Sequence, residues 1–167
     1  MRPGGRGALR TCCRRTARRR CWSADSRDLI FPAGSYDTST LWRISASGKS
    51  PPESLGFAGT AVFPAVSRHG DRMAFVRYSG EMNIWSLELD ENGEPASTAM
   101  QAFASSKSEF APRFSPDGNK VAFQSNRSGN YAVWVCRSDG SRCSAISPST
   151  PPSSFPDWSP DGKWILF

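Results

Sequence analysis

The chain has 167 residues, enough for one ordinary domain with a sizeable core. Hydrophobic residues make up 38% and aromatics 11%, and 14 glycines with 13 prolines speak for many turns rather than a few long helices. The formal charge of +6 belongs to one end: residues 1–20 hold eight arginines and no acid, while the rest carries 13 basic against 15 acidic residues, which leaves no basic face for nucleic acid on the body of the protein.

Residues 1–21 lack hydrophobic periodicity, the apolar core of a secretory signal and anything near the length of a membrane span. So biased a run buries too little apolar surface to fold, and a disordered Arg-rich extension is expected. Its arginines also admit a transit peptide or a phosphate-seeking arm, but no aromatics interleave them, and nucleic acid is not the expected partner. Cys12, Cys13 and Cys21 fall in this stretch without a scaffold to make them ligands, and no two cysteines of the chain have C-x-x-C spacing.

From Trp22 onward the chain repeats itself. Four segments align: Trp22 to Phe31, Val66 to Phe75, Phe114 to Phe123 and Trp158 to Phe167. Their serines, Ser23, Ser67, Ser115 and Ser159, are 44, 48 and 44 residues apart, and Pro64, Pro112 and Pro156 precede the last three at one spacing. Arg20 takes that place in the first copy. Each complete copy continues to a tryptophan, Trp42, Trp85 or Trp134, and then to a turn signal at Ser45–Gly48, Asp90–Gly93 or Ser138–Gly140. Joint spacing of Ser, Phe, Trp and Gly marks a structural repeat.

One copy shows the physics. Ser115-Pro116-Asp117-Gly118 is a type I turn by residue type, with proline pre-setting φ at its second position. Lys120–Ser125 reads as a short strand, 125–130 as a polar turn and Tyr131–Cys136 as the next strand. Four short strands per copy make one antiparallel sheet. Stretches such as Val133–Val135 and Trp164–Phe167 are apolar without alternation, so both faces of each sheet are covered. Sheets stacked radially satisfy this, and the period fits a propeller blade. The expected fold is all-β: a partial β-propeller of about three and a half four-stranded blades at 22–62, 63–110, 111–154 and, incomplete, 155–167. A β-sandwich is the alternative.

Candidate chemistry is sparse. His69, the single histidine, sits at a turn position and cannot form a His-based dyad within the chain. Asp117, Asp139 and Asp161 recur because Asp-Gly turns make hairpins, without the D-x-D-x-D loop of a calcium site. Trp42, Trp85 and Trp134 are expected in the core. Asn126-Arg127-Ser128 fits a glycosylation sequon, a short motif with many chance matches. Cys136 and Cys143 flank a turn; with a two-residue Asp139-Gly140 loop they would face one another, so a disulfide is open to them, although two unpaired thiols are the expectation. No G-x-S-x-G elbow is present. No catalytic residue, cofactor or metal ligand is expected, and the binding residues are unknown.

The segment from Pro112 through Asn130 to Gly140 resembles the TolB-type WD-like propeller repeat, and Pro156–Phe167 matches its opening half. Ala24, Ser26, Arg68 and His69 depart from the pattern at the earlier turns. The resemblance covers residues 22–167 and implies a closed ring of six or seven blades, on the order of 260–310 residues at this period. The chain is therefore expected to be a fragment, with open blade faces prone to self-association. The implied function is non-catalytic binding of a protein partner, periplasmic in the Tol system. The alternatives are the gating propeller of a prolyl-oligopeptidase-like peptidase and the sensor region of a bacterial, cytoplasmic regulator.

Overall fold

The computed structural model describes residues 20–34, 38–78, 81–103, 105–148 and 155–167. Three four-stranded antiparallel sheets and one hairpin follow one another along the chain. The first blade comprises β1 (Cys21–Trp22), β2 (Asp28–Ala33), β3 (Thr40–Ser45) and β4 (Glu53–Ser54). The second comprises β5 (Ala61–Val66), β6 (Arg72–Tyr78), β7 (Met82–Glu88) and β8 (Met100–Gln101). The third comprises β9 (Glu109–Phe114), β10 (Lys120–Ser128), β11 (Asn130–Arg137) and β12 (Ser144–Ala145), and the hairpin is β13 (Asp157–Trp158) with β14 (Ile165–Leu166). Gly56–Ala58 forms a single 3-10 turn. The Arg-rich extension expected at 1–21 lies outside the described residues except for Arg20 and Cys21, and Cys21 pairs with Ile30 inside the first sheet.

Register explains the repeat. Phe31 lies opposite Trp42, Phe75 opposite Trp85 and Phe123 opposite Trp134, so each aromatic landmark is one half of a cross-strand pair on the middle strands. Alternate residues of the second blade enter two different cores. Met73, Phe75 and Leu87 pack with Ile30 and Leu41 of the first blade. Ala74, Val76 and Ile84 pack with Val121, Phe123 and Cys136 of the third. This division is why such strands read as continuously apolar: the second sheet is a partition between two cores. Phe75 and Phe123 are fully buried, and each such side chain contributes about 1.5–3 kcal/mol. The fold is a partial β-propeller.

The aromatic pair always faces the preceding blade. In the first blade, Phe31 and Trp42 are therefore only half-buried, and Phe31 borders an open hollow with Leu29 and Ile44. At the other end Trp164, Leu166 and Phe167 are exposed. Trp85 and Trp134 are half-buried too, each packed at the margin of a core rather than in its centre.

The proline of each repeat marks a bulge. Phe63, Ala111 and Phe155, each just before a repeat proline, have φ of 53°, 49° and 57°. The β5–β6 and β9–β10 ladders slip there. Proline cannot donate to a ladder and is tolerated at such bulges.

Two local expectations are corrected. The supposed turn at 125–130 is mostly strand: β10 runs on to Ser128, which pairs with Asn130 around Gly129, because a bulge between Ser125 and Ser128 absorbs the polar residues. The hairpin between β11 and β12 has a three-residue loop rather than two: Gly140 N–H donates to the Arg137 carbonyl, Arg137 N–H donates to Ser141, and Arg142 bulges at φ 51°. The bulge brings Cys143 opposite Cys136, with Cα atoms 4.0 Å apart, and the two are disulfide-bonded, not free thiols.

Candidate functional site

Within a blade, the first-to-second and third-to-fourth strand turns lie at one end of the sheet, and the repeat serine builds the first of them. Ser115 Oγ accepts the Lys120 N–H (2.9 Å) and donates to Asp117 Oδ1 (2.5 Å), while Gly118 N–H closes the turn on the Ser115 carbonyl (2.8 Å). Ser23 with Asp25 and Ser159 with Asp161 do the same. In the second blade His69 occupies the aspartate's place, and Ser67 donates to Asp71 instead (2.5 Å). The hydroxyl of Ser115 and the Asn119 N–H hold the Asp117 carboxyl below the usual range, and the Asp25 and Asp161 carboxyls are lowered by the same arrangement. These aspartates are turn builders.

Neighbouring turns touch along the stack. A Cβ on Gly70 would lie 3.0 Å from Ala24, and one on Gly118 3.6 Å from His69. Glycine is used there for φ of 75° and 71° as well as for closeness. Ser26 holds the equivalent place in the first turn at φ 59°, without glycine's freedom.

A cleft of about 240 Å3 opens at this end between the first and second blades. The Ser23–Asp28 and His69–Gly70 turns, the Asp90–Gly93 turn and Arg43 surround it, over an apolar floor that includes Ile30 and Met73. Arg43 is engaged across the junction, donating to Glu53 Oε1 (2.6 Å) and Glu94 Oε1 (2.7 Å). At the junction of the second and third blades, Arg72 crosses to Gly118 and Ser138. Sequence reading missed both arginines. The only signal for Arg72 was its place five residues after a repeat serine, where copies differ.

The opposite end carries a buried ion pair. Arg127 donates to Glu109 Oε1, as does Ser105 Oγ (3.0 Å), and the Arg127 guanidinium lies 5.1 Å from the Phe123 ring centre and 5.0 Å from that of Trp134. Burial pushes the Glu109 carboxyl up, against the pull of Arg127. Arg77 stacks likewise on Trp85, at 4.3 Å. Trp85 and Trp134 therefore serve as platforms for arginines of their own sheets.

The remaining sequence candidates are dispersed. Asn126 lies in β10 with its Oδ1 buried, which places the sequon inside a strand. Burial pushes the Cys21 thiol up to about 12, far from a thiolate at neutral pH. Among the described residues no group of three or more His, Cys, Asp or Glu side chains is arranged to hold a metal, and no helix is long and apolar enough to cross a membrane.

Known proteins share this architecture. A putative TolB from Agrobacterium tumefaciens superposes with a TM-score of 0.75 at 21% identity, covering 88% of this chain and 52% of that one. An uncharacterized protein of Agrobacterium fabrum is 32% identical over 85 residues, 51% of this chain and 27% of the relative. An uncharacterized peptidase of Bacillus subtilis is 32% identical over 111 residues, 62% of this chain and 16% of the peptidase. The matches thus span only about a quarter or less of these curated relatives. The TolB beta propeller domain matches residues 60–167, more than half of the chain. With its blades, their repeated turns and this match together, the chain belongs to the TolB β-propeller family.

Proposed function

We propose that the chain is a non-catalytic scaffold that binds a protein partner through the turn end of its blades. The observation that carries this reading is the row of serine-aspartate turns, each locked by two or more short hydrogen bonds and seated against its neighbour. Loops held on stacked sheets form a preorganised surface, which binds without an ordering cost. The Cys136–Cys143 disulfide fits an oxidising compartment. Amide hydrogen exchange of the chain with a candidate partner tests the reading. Protection is expected at residues 23–28, 67–72, 90–94 and 115–120; protection confined to the opposite end defeats it.

The similarity to a Bacillus subtilis peptidase favours a second reading, in which the blades gate a hydrolase domain elsewhere in a longer protein. A G-x-S-x-G segment encoded in frame beyond Phe167 would establish that reading.

A further inference from the structure

The junction of the second and third blades shows what this fold places where neighbouring turns meet. Arg72, five residues after Ser67, donates to the Gly118 carbonyl oxygen (2.8 Å) and to Ser138 Oγ (2.5 Å), with its guanidinium 5.8 Å from the Phe114 ring centre. The seat has three walls: a turn glycine, the residue ending the innermost strand, and the residue just after the third strand. One repeat earlier the same positions hold Gly70, Val66 and Leu89, which keep the glycine carbonyl and replace the ring and the hydroxyl by aliphatic side chains. Leu89 and Ser138 are equivalent by hydrogen bonding, since their amides donate to Asp71 and Asn119, each four residues after its repeat serine. All three walls line the 240 Å3 cleft. The residue in the place of Arg72 is Asp28, five after Ser23. A carboxylate cannot donate to a carbonyl, so the first junction keeps the turn-glycine carbonyl of the seat without a guanidinium to meet it.

The charge at that place is thereby reversed. Asp25, Asp28, Asp90 and Glu91 line the cleft. The basic groups facing it are His69 and Arg43, and Arg43 is already bonded by Glu53 and Glu94. Below the carboxylates the floor is apolar, suited to a methylene stem under a charged head. The volume is smaller than the ~300–1,000 Å3 of small-molecule pockets and is the scale of a single side chain.

We propose that this cleft receives an arginine side chain from a protein partner, restoring in trans the guanidinium that Arg72 supplies at the next junction. The incoming fork donates to the Gly70 carbonyl and takes Asp28 and Asp90 as counter-ions. Lysine is a poorer occupant, because a point charge cannot address a carbonyl and two carboxylates in one plane. The proposal rests on the scaffold reading only in taking the arginine from a protein.

The test titrates the full chain with an acetylated, amidated Ala-Arg-Ala tripeptide and with its lysine and citrulline counterparts, followed by amide NMR shifts. Saturable binding of the arginine peptide is expected, with shifts at Gly70 and Asp90 and affinity at least about tenfold above that of the neutral citrulline peptide. Asp28→Arg fills the seat from within; it should abolish peptide binding while its thermal midpoint stays at or above that of the parent chain. Asp28→Asn, the milder variant, should weaken binding at least about fivefold. Equal binding of citrulline or lysine peptide, undiminished binding by Asp28→Asn, or no saturation at millimolar peptide overturns the proposal. A protein partner that binds Asp28→Arg as tightly as the parent overturns the cleft and spares the scaffold. Peptide binding without any protein partner does the reverse.

Discussion

Arg72→Ala removes a side chain that ties the second blade to both turns of the third. Two hydrogen bonds from a charged donor are lost, at 2.5 and 2.8 Å, with the contact to Phe114. Buried, each such bond contributes about 1.5–3 kcal/mol. The Arg72 side chain is 28% exposed, so water replaces part of each bond, and roughly 2 kcal/mol of rotamer freedom returns on truncation. The net loss should be about 2 kcal/mol. Urea unfolding followed by tryptophan fluorescence reads this as a lower midpoint at unchanged slope. Hydrogen exchange should quicken at Gly118 and Ser138, since both lie at the opened seam. Arg72→Lys keeps the charge without the fork and should lose about half as much. A midpoint within about 0.5 kcal/mol of the parent, with exchange unchanged, would refute the account of the junction and weaken the arginine seat built on it.

Ser26→Gly places glycine where Gly70, Gly118 and Gly162 stand in the other copies and relieves a left-handed φ of 59°; a gain of about 0.5–1 kcal/mol is expected in the same urea assay. The turn carboxyls of Asp25, Asp117 and Asp161 lie below their usual range in the folded chain, so their stabilisation is complete above the unfolded value of about 3.9 and is lost as pH falls through the folded values. Asp117→Asn should flatten that acid limb in unfolding midpoints measured from neutral pH downward, and an unchanged limb would sink the assignment. Cys143→Ser opens the disulfide loop; the loss should be roughly 2–3 kcal/mol, matched by adding reductant to the parent and by no further loss on reducing the variant.

Much of the architecture was written locally. The spacing of Ser23, Ser67, Ser115 and Ser159 announced the blades, and the continuously apolar strands announced sheets covered on both faces, because turn chemistry and strand patterning act over a few residues. The three-residue loop at Ser138–Gly140 was less legible. Its bulge at Arg142 decides whether Cys136 and Cys143 meet, and no residue type demands a bulge there. The repeat prolines stand in the sequence without showing their purpose, since a left-handed residue before proline shows only in the ladder it interrupts.

From its own order of residues, this chain determined its repeat, its strands and the turns that join them. What faces what across a blade junction was settled only in three dimensions. Arg72 with Gly118 and Ser138, Arg43 with Glu94, and the acid-lined cleft beside Asp28 join residues far apart in the chain, or from successive copies. The physical reason is that a repeat specifies its own sheet by short-range pattern, while the chemistry of a seam depends on where two copies differ once they are pressed together.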